Sequence, residues 1–170
     1  MLLTKLFVTR RPGGLPHQGR LVAGNTLFPC ALGRNGITYD KREGDGATPA
    51  GDFRLIFFYL RHACILHAPW RLTHPRDAWC DDESSFRYNR ALTLPTQLSH
   101  EEMWRLDNLY DVVGVMDYNL KPVRRSRGSA IFFHIATSQL EATAGCVALR
   151  REDMRKLLPR LARGVCIYVR

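Results

Sequence analysis

Gly128-Ser129-Ala130-Ile131-Phe132-Phe133-His134-Ile135-Ala136-Thr137-Ser138-Gln139-Leu140-Glu141-Ala142-Thr143-Ala144-Gly145-Cys146-Val147-Ala148-Leu149 holds most of what the sequence says about fold and chemistry. An apolar, strand-like run, Ala130 to Phe133, delivers His134. A polar passage leads to Thr143-Ala144-Gly145-Cys146, and a second apolar run follows. A thiol in a Gly-containing turn, near a His at a strand end, has the parts of an activated nucleophile. The thiolate attacks, and an adjacent imidazole generates it. Gly145 permits a tight turn beside the sulfur. The amides around Cys146 are candidates to face a tetrahedral oxyanion. The plainer alternative makes Cys146 a small core residue and His134 a satisfied buried histidine, since free Cys is among the most buried residue types.

The order His134, spacer, Thr143-Ala144-Gly145-Cys146-Val147 resembles the L,D-transpeptidase catalytic domain, the YkuD-like family of peptidoglycan enzymes. That family carries a His and then Ser/Thr-X-Gly-Cys before an apolar residue. A second resemblance lies upstream, where Gly44-Asp45-Gly46-Ala47-Thr48-Pro49-Ala50-Gly51-Asp52-Phe53 is similar to the family's Gly-Asp-Gly-x-Thr-Pro-x-Gly-x-Phe loop. Two ordered motifs about ninety residues apart are far more specific than either alone. The likeness runs from roughly Leu21 onward. This chain departs from the family at Ala144, often His, at Ala148, commonly Arg or Asn, and in its short His-to-Cys interval.

The resemblance implies a mainly β, YkuD-like β-sandwich of mixed, mostly antiparallel strands with one or two packed helices. It makes Cys146 the nucleophile and His134 its base. The backbone carbonyl of Ile135 orients the imidazole, and Gly145 and Ala144 belong to the oxyanion site. Thr143, Asp45, Thr48, Tyr88 and Arg150 are expected substrate contacts, with a structural role first for Asp45 and Thr48. The implied substrate is a peptidoglycan tetrapeptide stem or muropeptide. Its L-centre carbonyl is attacked, the terminal D-alanine leaves, and a thioester remains. The family's cysteine also attacks carbapenems. No cofactor and no metal is implied.

A chain of 170 residues fits one domain, 1–170, with a sizeable core. No run approaches the ~18 apolar residues of a membrane span, so no membrane partner is expected. The N-terminal Met-Leu-Leu-Thr-Lys-Leu-Phe-Val-Thr-Arg has no secretory pattern, because Lys5 and Arg10 interrupt it. Five cysteines, an odd number without a Cys-x-x-Cys pair, suit a reducing compartment. The expectation is a cytoplasmic protein, periplasmic if a native precursor bears a signal. The net charge of +9 is scattered. It reads as a solvated surface that attracts carboxylates rather than as a nucleic-acid footprint. A non-catalytic binding module is the competing class. A papain-like peptidase is a weaker third reading, because there the Cys precedes the His.

Along the chain, strands are expected at Leu2 to Thr9, at the Arg20–Ala23 and Thr26–Leu32 hairpin, at Phe53 to Leu60, Tyr110 to Tyr118 and Val165 to Val169. Ser99-His100-Glu101-Glu102 has capping-box form and predicts a short helix to Leu106. Met154, Leu157, Leu158 and Leu161 predict one face of a helix that Pro159 ends or kinks, with Gly164 at its exit. The segment Arg61 to Arg90 is irregular: either a substrate-covering lid or a surface excursion whose tryptophans fill a second core. Its His67, His74, Cys80 and Asp82 match no compact zinc spacing.

Overall fold

The computed structural model describes residues 1–170. The strands are β1 (Leu3–Arg10), β2 (Gln18–Ala23), β3 (Thr26–Ala31), β4 (Ile37–Thr38), β5 (Thr48–Pro49), β6 (Gly51–Leu60), β7 (Trp70–Leu72), β8 (Asp77–Cys80), β9 (Ala91–Thr93), β10 (His100–Glu102), β11 (Val112–Met116), β12 (Phe132–Ile135), β13 (Val147–Leu149) and β14 (Leu161–Val169). One α-helix, α1 (Arg151–Leu157), runs into a 3₁₀ turn at Leu158–Arg160.

The fold is mainly β, mixed and mostly antiparallel, as the resemblance implied. Nine strands form one sheet in the order β11-β12-β13-β3-β2-β1-β14-β6-β7, and β11 also pairs with β6. That extra pairing closes the sheet on itself. Closure removes most of the unpaired edge that an open sheet would expose. β8, β9 and β10 form a separate three-stranded sheet.

Side-chain alternation along each strand sorts residues between two apolar clusters. The larger lies inside the closed sheet. β1 contributes Leu6 and Val8, β2 contributes Leu21 and Ala23, and β14 contributes Val165, Ile167 and Val169. The smaller lies on the opposite face of β6, β11 and β12, under the three-stranded sheet. It contains Tyr59, Val113, Val115 and Phe132 from the large sheet and Trp79 and Met103 from the covering one. β12 serves both clusters. Phe133 and Ile135 face the larger, and Phe132 faces the smaller.

The segment Arg61 to Arg90 therefore builds a second core: Trp79 packs edge-on against Phe132 at 5.3 Å between ring centroids. Trp70 stays on the surface. No group of three or more His, Cys, Asp or Glu side chains is placed to hold a metal ion.

Two expectations need correction. The helix predicted from Ser99 is strand β10, paired antiparallel with β8 through His100↔Cys80, Glu101↔Trp79 and Glu102↔Ala78. A capping box marks only a helix start, and seven or eight residues rarely sustain a helix without a packed face. The pairing with β8 supplies partners that a helix there lacks. The second correction concerns Gly164. It lies inside β14 at φ +69°, not at a helix exit. The β1–β14 register passes from Leu3↔Leu161 to Lys5↔Cys166 there, so the glycine sits in a bulge. Pro159 falls in the 3₁₀ turn, and α1 ends before it. Met154, Leu157 and Leu158 face the larger cluster from the helical turns, and Leu161, expected on the same helix face, reaches it as the first residue of β14.

Candidate active site

β12 and β13 are parallel neighbours in the register Phe133↔Val147, His134↔Ala148, Ile135↔Leu149. Cys146 immediately precedes β13 and so lies beside Phe132. By alternation, Phe132, His134 and Cys146 project from the same face. The polar passage from Thr137 to Thr143 is the connection that returns the chain for this parallel pairing. The two residues that the motif names are thus one strand and two positions apart, on one side of the sheet.

Both line a cavity of about 310 Å³, together with Thr143, Ala144 and Gly145. Each is largely buried, Cys146 at 7% and His134 at 6% exposure. His134 Nδ1 lies 2.8 Å from the carbonyl oxygen of Ile135. A carbonyl only accepts, so Nδ1 carries the proton and Nε2 is left as an acceptor. Ile135 thus fixes the imidazole in the tautomer a base requires. The Cys146 thiol donates to the Ala130 carbonyl at 3.3 Å, and Sγ accepts the Phe132 N–H at 3.3 Å. No hydrogen bond joins Sγ to His134 in this resting arrangement.

Burial sets the resting charges. It pushes the Cys146 thiol up to about 12 and pulls His134 down to about 4. Both are therefore neutral at pH 7. The thiolate does not pre-exist here, and its proton must leave as the sulfur attacks.

The turn before β13 is clamped from two sides. Thr143 Oγ1 donates to the Cys146 carbonyl at 2.7 Å and accepts the Gly145 N–H at 3.1 Å. Thr48 Oγ1, fully buried, donates to the same carbonyl at 3.4 Å and accepts the Gly33 N–H at 2.8 Å. Gly145 has φ +144°, and a Cβ there would meet the Ala47 carbonyl oxygen at 2.8 Å. The Gly-rich loop and the nucleophile turn touch at that contact. The Cys146 and Ala144 amides make no hydrogen bond within the protein. Gly145 was expected in the oxyanion site, but its amide is committed to Thr143. Ala144 and Cys146 hold the free donors.

Residues 16–169 match the family model described as YkuD, the L,D-transpeptidase catalytic domain. The chain belongs to that family. Among solved structures it is similar to L,D-transpeptidase 1 of Mycobacterium tuberculosis, at 11% identity and a TM-score of 0.40. The match covers 97% of this chain and 61% of that one, so this chain spans about three-fifths of that protein's length. No curated protein sequence matches the chain.

In this YkuD domain the cavity takes in only part of the expected set. Thr143 lines the cavity, but Asp45, Thr48, Tyr88 and Arg150 do not. Asp45 organises its own loop. Partial burial pushes its carboxyl up, but bonds from Lys41 Nζ at 2.5 Å and from the Arg42 and Ala47 amides outweigh that and hold it low. Thr48 acts through the Cys146 carbonyl. Tyr88 is buried behind the wall, with its hydroxyl donating to Glu43 Oε2 at 2.5 Å. Arg150 donates to the Ser138 carbonyl at 3.1 Å and borders a neighbouring depression. Arg150, the one arginine expected among the substrate contacts, does not reach the cavity; Arg34 and Arg105 do.

Tyr110, Glu101, Lys41 and Glu43 also line it. Tyr110 packs edge-on against the His134 ring at 5.2 Å between centroids, and the Arg105 guanidinium lies 4.9 Å from the Tyr110 ring centre. None of these carries a local sequence signal. They arrive from separate loops and from the covering sheet.

Proposed function

We propose that this YkuD domain is a cysteine-dependent peptidoglycan stem-peptide enzyme that acts at the L,D bond of a tetrapeptide through a Cys146 thioester. The observation that carries the reading is the Nδ1–Ile135 carbonyl bond. It leaves Nε2 unprotonated on a ring that lines the same cavity as the sulfur. In the first step Sγ attacks the L-centre carbonyl carbon while His134 Nε2 takes the thiol proton. The C–S bond forms, and the oxyanion meets the Cys146 and Ala144 amides. The C–N bond then breaks, and His134 returns its proton to the departing D-alanine amine. Water or an amine, deprotonated in turn by His134, releases the acyl group.

The favoured outcome is L,D-carboxypeptidase action with D-amino acid exchange, in cytoplasmic peptidoglycan recycling. The five cysteines are all free, which suits a reducing compartment. The test is product analysis of purified protein with a free tetrapeptide stem. Tripeptide and D-alanine are expected. Cross-linked dimer without tripeptide would instead favour periplasmic L,D-transpeptidation, and no product from any stem would favour a non-catalytic module.

A further inference from the structure

Glu101 reaches the cavity because β10 is a strand. Alternation turns Glu101 and Met103 inward, towards Trp79 and the smaller core, and leaves Glu102 exposed. One carboxylate oxygen, Oε2, accepts the Tyr110 hydroxyl at 3.2 Å. Tyr110 in turn rests on His134, so Glu101 is held one ring away from the base.

No cation is bonded to this carboxylate, although the Arg105 guanidinium is close enough to act on it by charge. The carboxylate takes part in no salt bridge, although the protein carries a net charge of +9. The nearest guanidinium, Arg105, is drawn to Asp107 at 2.5 Å instead. Lys41 is held by Asp45. Alongside stands Asp81, whose Oδ1 is buried with no hydrogen-bond partner. Unpaired, partly buried negative charge is costly, and a native fold keeps it where function supplies the counter-charge. The exchange reaction brings such a cation: the ammonium of the incoming amine.

We propose that Glu101, positioned by Tyr110, receives the acceptor's ammonium group and takes its first proton, so that amine acceptors compete with water for the thioester. The inference rests on the Cys146 thioester proposed above. In this step R–NH₃⁺ passes one proton to the Glu101 carboxylate. The amine lone pair attacks the thioester carbonyl carbon, and the C–N bond forms. His134 takes a second amine proton as the C–S bond breaks, then returns it to the sulfur. Glu101 loses its proton to solvent, and amide and thiol remain.

The experiment is a partition measurement. The protein is incubated with a tetrapeptide stem and D-methionine, and exchanged tetrapeptide is compared with tripeptide. Both products leave one acyl-enzyme, so their ratio does not depend on how much protein is active. In Glu101→Gln the exchange-to-hydrolysis ratio should fall at least tenfold. Glu101→Asp should recover part of it, and Glu102→Gln should leave it unchanged. An unchanged ratio in Glu101→Gln overturns the inference and leaves the thioester reading intact. Loss of acylation itself in Glu101→Gln and Glu101→Asp, read as a missing carbapenem adduct, also overturns it, because the assigned role follows acylation. If the wild-type protein makes neither product, the thioester reading falls first.

Discussion

His134 has its base-competent form set by burial. Its neutral state persists down to about 4, so kcat/KM on a stem should hold below the range of an ordinary histidine and fall only as pH drops through about 4 to 5. A decline centred near 6.5 would mean that the imidazole is solvated. The same group sets a stability window. Its unfolded-state pKa is near 6.5 and its folded value lower, so the unfolded chain binds the proton first. Stability is unaffected above about 6.5 and is lost progressively as pH falls towards 4, by on the order of 3 kcal/mol in the limit. Denaturant midpoints at several pH values in wild type and His134→Gln check this, with the acid loss smaller in the variant. That Cys146, Gly145 and His134 line one cavity was legible because their order and spacing sit in one short stretch. Glu101, Arg34 and Tyr110 were not, because nothing local in a sequence says which distant side chain lines a cavity.

Element by element, the long strands of the large sheet were readable from alternation and turn chemistry, and α1 from its apolar spacing, whereas β7 and β8 lie in the segment read as irregular and β9 was not expected. The failure at β10 is instructive. Ser-x-x-Glu is a local signal, and pairing with β8 is a tertiary one that overrides it. Ser99 makes no side-chain capping bond, and its carbonyl accepts the Asp81 amide. Ser99→Ala should therefore change stability by less than about 0.5 kcal/mol, whereas loss of a true N-cap costs ~1 kcal/mol. Met103 is different. It is 1% exposed and joins the covering sheet to the smaller core, so Met103→Ala should cost about 2–5 kcal/mol. Urea unfolding of the two variants separates the strand from the helix: comparable costs would contradict the observed pairing.

For the whole molecule, the two cores lie on opposite faces of the same strands. β12 gives Phe133 to one and Phe132 to the other. Neither can open without losing a wall of its neighbour. Thermal unfolding followed by tryptophan fluorescence in a Trp70→Phe, Trp104→Phe background, which reads Trp79 in the smaller core, should coincide with unfolding followed by far-UV circular dichroism. Two separated transitions would mean that the covering sheet opens alone. Closure through the β11–β6 pairing was not legible beforehand. Periodicity says which face of a strand is buried but not which strand lies beside it, and the partners here are far apart in sequence.

All of this places one thiol, Cys146, at the centre of the chemistry. The direct test is the intact mass of the protein after incubation with a carbapenem, followed by peptide mapping. A single covalent adduct on the peptide containing Cys146, absent in Cys146→Ala, is the predicted result. No adduct, or an adduct found only on the exposed Cys64, would contradict it.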